Sequence, residues 1–186
     1  MLVNTPIRQS TARYPTCCSF LVIGYGNELR GDDAVGARVA RTVADWNLPK
    51  VNAIAVHQLM PELAIEISKV DYVVFVDACA EERCARTIQL DPISANVIRP
   101  QSSTHHANSL THSHSAEGLL ALTQKVYGHT PQAWLLQVPT ESFEYGEQLS
   151  STAQRGRDEA LQTIERFLVN YQVPYRVTSE PCMKSA

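Results

Sequence analysis

Residues 21–36, LVIGYGNELRGDDAVG, decide how this chain is built. The apolar run Leu21-Val22-Ile23, bounded by Gly24 and Gly26, reads as a buried strand. The chain then turns through Gly26-Asn27-Glu28-Leu29-Arg30-Gly31 and reaches two adjacent acids, Asp32 and Asp33. Behind them Val35, Val39 and Val43, with Trp46, recur at amphipathic helical spacing. A strand, a glycine-bearing loop and a helix start therefore place two carboxylates at the carboxyl end of a strand. In open α/β sheets that edge binds ligands.

Two phosphate-binding readings of this stretch fail. A dinucleotide fingerprint needs a third glycine three residues after Gly26, where the chain has Leu29. A P-loop ends in Gly-Lys-Ser/Thr, whereas Gly31-Asp32-Asp33 would repel phosphate. For Asp32 taken alone, the expected role is a helix cap. For Asp33 a functional role is favoured, because the chain supplies companions for it downstream.

The 186 residues fit one domain, 1–186, with residues 1–18 and 170–186 expected as loose tails. An apolar content of 44% with 19% charged residues suits a soluble globular protein. A net charge of −3 argues against nucleic acid or an acidic membrane as partner. No apolar run approaches the ~18–20 residues of a membrane span. Arg8 and Arg13 precede only a short apolar segment, unlike a secretory signal. The five cysteines, odd in number and irregularly spaced, suggest reduced thiols rather than a disulfide framework. A cytoplasmic location is expected.

Further elements alternate. Val51–Val56 reads as a strand ending at His57-Gln58, and a helix is expected from Pro61-Glu62 to Ser68. The continuous run Val73–Val76 suits a parallel strand covered on both faces, closed by Asp77. Arg86–Leu90 reads as a short strand at a sheet edge. Residues 91–114 lose periodicity and hold His105, His106, His112 and His114, ample metal-ligand material in a loop of functional length. A helix from Ser115 to Tyr127, a strand from Ala133 to Val138 stopped by Pro139, and a helix from Ser150 or Ser151 to Leu168 complete the chain. Alternating strands and helices predict an α/β doubly wound fold. On neighbouring strand ends, Asp33 and Asp77 are suited to sharing a divalent cation or a proton.

Gly26-Asn27-x-Leu29-x-x-Asp32-Asp33-x-x-Gly36 after the LVIG strand resembles the opening motif of the nickel–iron hydrogenase maturation endopeptidases. Asp71-x-x-x-x-Val76-Asp77-Ala78 is similar to their second motif, and His112-Ser113-x-Ser115…Leu119-Leu120-Ala121-Leu122 to their histidine before a helix. Val138-Pro139…Phe143-x-Tyr145-Gly146-x-x-Leu149-Ser150 resembles their last strand and the lead into the C-terminal helix. The resemblance covers roughly residues 20–168 and is closest to the branch serving bidirectional, NAD(P)-linked hydrogenases.

The resemblance implies a three-layer αβα fold with a twisted, mostly parallel five-stranded sheet. It implies an aspartyl-type endopeptidase that removes the C-terminal extension of the hydrogenase large-subunit precursor after nickel insertion. The implied metal-binding residues are Asp33, Asp77 and His112, with His114 the rival to His112. The nickel would arrive with the precursor, and other divalent ions would also suit such a site. Many relatives have Glu where this chain has Asp33, one methylene shorter. Some end the second strand in Asp-Gly-Gly-Thr, against His57-Gln58-Leu59-Met60 here, so no role of that run carries over to this chain.

Two carboxylates and an imidazole form an oxygen/nitrogen site suited to nickel. A bound ion there polarises a carbonyl or acidifies water. The attacking group and general base are unassigned. The alternative is a non-catalytic chaperone that binds nickel or precursor. A resident-zinc peptidase lacks an HExxH motif in this chain. A monomer is expected, since a maturation protease must release its folded product.

Overall fold

The structure, a computed structural model, describes residues 18–80, 88–95 and 115–171. Its strands are β1 (Phe20–Tyr25), β2 (Val51–Val56), β3 (Tyr72–Ala80), β4 (Gln89–Ile93) and β5 (Gln132–Thr140). Its helices are α1 (Val35–Asp45), α2 (Leu63–Ile67), α3 (Ala116–Tyr127) and α4 (Ser151–Tyr171), with a 3-10 turn over Gly31–Ala34. The five strands form one sheet in the order β2-β1-β3-β5-β4. β2, β1, β3 and β5 run parallel, and β4 pairs antiparallel with β5. This is the expected α/β, mostly parallel arrangement.

β1 shows why both faces must be covered. Phe20 and Val22 enter the core beneath α1 and α4, while Leu21 and Ile23 enter the one beneath α2 and α3. Successive strand side chains point to opposite faces, so four consecutive apolar residues need a helical layer on each side. All four are at most 2% exposed.

Gly24 and Gly36 set how closely α1 lies on the sheet. A Cβ on Gly24 would stand 1.9 Å from the Gly36 carbonyl oxygen. One on Gly36 would stand 2.4 Å from the Val76 oxygen. The first glycine of the Gly24-x-Gly26 pair thus serves backbone packing, and the helix start is pressed against the ends of β1 and β3.

Four boundaries differ from the sequence reading. β3 continues past Asp77 to Ala80, because β5 accompanies it to the pair Ala80↔Thr140 after β1 has ended. β4 lies at Gln89–Ile93, with Pro92 inside it, which an edge strand tolerates. β5 runs through Pro139 to Thr140. Its partner β4 reaches only Gln137, so Pro139 sits beyond the segment that needs donors on both sides. α4 extends to Tyr171, whose ring packs 4.5 Å from Phe167, 4.9 Å from Tyr72 and 5.6 Å from Trp134, centroid to centroid. That aromatic cluster, extended by Phe20 stacked 5.1 Å from Tyr72, gives the last helical turn an apolar surface to cover. Cys79 is disulfide-bonded, which corrects the expectation of reduced thiols. An odd cysteine count excludes complete pairing, not a single bridge.

Candidate metal centre at the carboxyl edge

β1 and β3 run side by side in register to Gly24↔Val76, where β1 turns away. One residue further, Tyr25 leads into the loop that carries Asp33, and Asp77 is left on β3 beside the gap. The Asp77 carboxyl therefore faces an edge made by β1 ending, rather than one made by its own strand ending.

The loop between β1 and α1 is tied by Asn27. Its side-chain oxygen accepts from the Leu29 N–H at 3.0 Å, and its carbonyl accepts from the Arg30 N–H at 3.0 Å. Its own N–H donates to Asp33 Oδ2 at 2.8 Å, fixing one oxygen of that carboxylate. Gly26 is required beneath it. Its φ of 141° is in the range side chains avoid, and a Cβ would lie 1.8 Å from the Asp33 carbonyl oxygen.

Asp77 is half-buried. Burial pushes its pKa up to about 6, and the charge of Asp33 adds to the rise. Hydrogen bonds from the Tyr25 hydroxyl and the Ala78 N–H work the other way without cancelling it. Asp33 thus lies near enough for its charge to act on Asp77, a like-charge neighbourhood that a shared cation or proton relieves. Among the described residues no group of three His, Cys, Asp or Glu side chains could hold a metal. Asp33 and Asp77 are brought together; His112 and its rival His114, like His105 and His106, lie outside the described residues.

The helix before which His112 stands is described. Ser115 caps α3, its hydroxyl oxygen accepting from the Gly118 N–H at 3.0 Å. Glu117 in the first turn is close enough to Tyr25 for its charge to act on the phenol. The amino end of α3 therefore reaches the same edge as the dyad. His57 and Gln58 follow β2 as exposed residues, and Gln58 Nε2 lies 3.2 Å from Met60 Sδ.

Asp32 does something other than cap a helix. It is fully buried and makes no cap bond at the turn it occupies. Its Oδ2 accepts from the N–H groups of Glu141 (2.8 Å) and Ser142 (3.0 Å) and from the Ser150 hydroxyl (2.7 Å). Its Oδ1 accepts from the Ser150 N–H at 2.6 Å. Burial acts to raise its pKa, but these four hydrogen bonds outweigh it and hold the carboxyl below its ordinary value. The same Ser150 oxygen accepts from the Ala153 N–H at 3.1 Å and so caps α4. Main-chain bonds complete the strap: Gly31 N–H to Gly146 O at 2.6 Å, Gly146 N–H to Leu29 O at 3.0 Å and Asp32 N–H to Ser142 O at 3.1 Å. Asp32 thus locks the Asp33 loop to the β5–α4 connection.

Tyr25 was not singled out as a site residue by sequence reasoning. The available signal was its parity with Leu21 and Ile23, which puts it on the α3 face, one strand from Asp77. A groove of about 680 Å³ lies elsewhere, at the amino end of β2 beside Ser19, Lys50 and Val70. Among the described residues no helix is long and apolar enough to cross a membrane.

No protein-family model matches this sequence. No curated protein matches it either. Solved structures do. The [NiFe] hydrogenase maturation protease HycI from Thermococcus kodakarensis is similar with a TM-score of 0.61 at 24% identity, over 82% of this chain and 94% of that one. The hydrogenase maturating endopeptidase HybD from E. coli gives 0.60 at 20% identity, over 82% and 93%. The hydrogenase 2 maturation peptidase from a Thaumarchaeota archaeon gives 0.59 at 23% identity, over 81% and 98%. At these identities the likeness is one of architecture, and it runs nearly the full length of each of the three: this chain has the fold of the hydrogenase maturation endopeptidases.

Proposed function

We propose that this protein is an endopeptidase that removes the C-terminal extension of a nickel–iron hydrogenase large-subunit precursor after nickel insertion. Asp33, Asp77 and His112 bind the nickel that the precursor carries, and so report that insertion is complete. The observation that carries the reading is the Asp33–Asp77 dyad at the carboxyl edge, half-buried and short of compensating charge. A divalent cation fits this donor set, since it stabilises both carboxylates in the ionised form. The motifs in order along the chain and the shared fold support the precursor as substrate, with bidirectional, NAD(P)-linked hydrogenases the nearest branch. The enzyme acts as a monomer.

The chain's own residues have distinct tasks. Asn27 fixes one oxygen of Asp33, and Asp32 holds the loop that carries it. Exposed Leu29 and Tyr145, on the two strapped loops, form the apolar rim that meets the precursor. The test is to incubate the purified protein with nickel-loaded and nickel-free precursor and measure product masses. Loss of a C-terminal peptide from the loaded form alone, abolished by Asp33→Ala, Asp77→Ala or His112→Ala, is the expected result. No shortening of either form, with nickel or precursor still bound, would replace this reading with that of a chaperone.

A further inference from the structure

The two edges of the sheet are built differently. β4, at one edge, carries Asp91 and Pro92, a charge and an imino acid that discourage another strand from pairing. β2, at the other, reads VNAIAV, with neither a charge nor a proline, and among the described residues no strand pairs with its outer side. The groove of about 680 Å³ lies along it. Val51 and Ala53 pack toward the core beneath α1 and α4, Ile54 toward the one beneath α2 and α3. A groove lined by Val51, Asn52, Ala53 and Ile54 in succession touches both faces of the strand, so it follows the strand's edge. Exposed Lys50 lines it at the amino end of β2. Its φ of 61° is left-handed, a backbone that strains a side chain and suits glycine, and its carbonyl accepts from the Phe20 N–H at 2.9 Å. The acids nearby are engaged, Glu66 by Lys69 at 2.8 Å and Asp71 by the N–H and hydroxyl of Ser19 at 2.7 and 2.8 Å. Among the described residues Lys50 has no ion-pair partner.

We propose that the C-terminal extension of the precursor docks on this edge, added to β2 as an antiparallel strand with its terminal carboxylate at Lys50. The inference rests on the endopeptidase reading given above and names the surface that holds the piece to be removed. Polarity selects the direction. β2 runs from the groove toward the carboxyl edge, where Asp33 and Asp77 lie. The extension follows the scissile bond, so it leads away from that edge and ends in a free carboxylate. A segment running against β2 does both, and its last residue meets the unpaired Lys50 with the opposite charge. Six residues paired along β2 span about 20 Å. From the outer side of β2 to β3 is three inter-strand steps, about 14 Å, which about four further extended residues cross. Main-chain hydrogen bonds to an open edge tolerate varied side chains, while the carboxylate contact fixes the register.

The probe is a synthetic peptide with the sequence of the extension of the host's own large-subunit precursor, made as the free acid and as the C-terminal amide. A fluorophore at its amino end reports binding to full-length protein by anisotropy, and amide hydrogen exchange reports where it binds. The free acid is expected to bind about three- to tenfold more tightly than the amide, with the gap closing in about 1 M salt. Exchange should slow over Val51–Val56 and stay unchanged over Gln89–Ile93. Lys50→Gly removes the charge and accepts the left-handed backbone, so its Tm should equal or exceed that of the wild type while it binds acid and amide alike. Equal binding of acid and amide by the wild type, or a preference for the acid kept by Lys50→Gly, would overturn the assignment. Amides of β2 already protected without peptide, together with no peptide binding, would overturn it in favour of a second copy of the chain on that edge. No peptide binding by protein that still shortens the nickel-loaded precursor would overturn the docking and leave the endopeptidase reading standing. Failure of both would overturn that reading and the docking with it.

Discussion

Asp32 and Asp77 are two acids at one edge of one sheet, and the protein treats them in opposite ways. Asp32 is fully enclosed, yet four hydrogen bonds from the β5–α4 connection keep it ionised more readily than a free carboxyl. Asp77 is less enclosed, but it has fewer donors and another acid nearby, and its pKa rises to about 6. Burial alone does not separate a structural carboxylate from one available for chemistry; the supply of donors does. Asp33, adjacent in sequence to Asp32, has one of its oxygens engaged by the Asn27 N–H and belongs with Asp77.

The contrast breaks most visibly at Asp32. Asp32→Ala strands the donors of Glu141, Ser142 and Ser150, each unsatisfied donor costing about 1–3 kcal/mol. A loss of stability of at least about 3 kcal/mol is expected, read by urea denaturation. A loss under about 1 kcal/mol would show that the connection is held by something else. Ser150→Ala should cost about 1–2 kcal/mol, since it removes both the cap of α4 and one bond to Asp32.

The pH dependence of the metal-free protein sharpens the contrast. Asp32, with a lowered pKa, contributes stability present above the ordinary carboxyl pKa of about 3.9, and it is lost as pH falls through the folded value. Asp77, with a raised pKa, favours the folded state below about 3.9, and that advantage is lost as pH rises through about 6. Asp77→Asn should remove this second loss, so its Tm should exceed that of the wild type at pH 8. A variant less stable than the wild type at pH 8 would contradict the charge balance drawn here. The smallest effect is expected at Glu28, which pairs with Arg41 on the exposed surface. Glu28→Ala should change stability by less than about 0.5 kcal/mol, measured the same way.

Much of this was legible along the chain. β2 occupies Val51–Val56 and α3 starts behind Ser115, as the sequence reading places them. These features depend on neighbours within a few residues. Asp33 and Asp77 were also readable as candidates, because an acid following a buried strand has no apolar surface to cover. Asp32 was misread as a cap for the opposite reason. Its partners stand 109 to 118 residues away, and no local spacing announces them. Tyr25 was passed over because a tyrosine closing an apolar strand reads locally as core.

The sequence by itself determined the strand and helix types, the doubly wound alternation and the positions of Asp33 and Asp77 along the chain. Those properties follow from periodicity and from turn chemistry, which act over a few residues. The tertiary structure alone decided which acid is locked and which stays available. It did so by pairing β3 with β1 for only part of its length, and by folding the β5–α4 connection over Asp32. Hydrogen-bond supply and desolvation depend on what lies across space, so two aspartates next to each other in sequence acquired different chemistry.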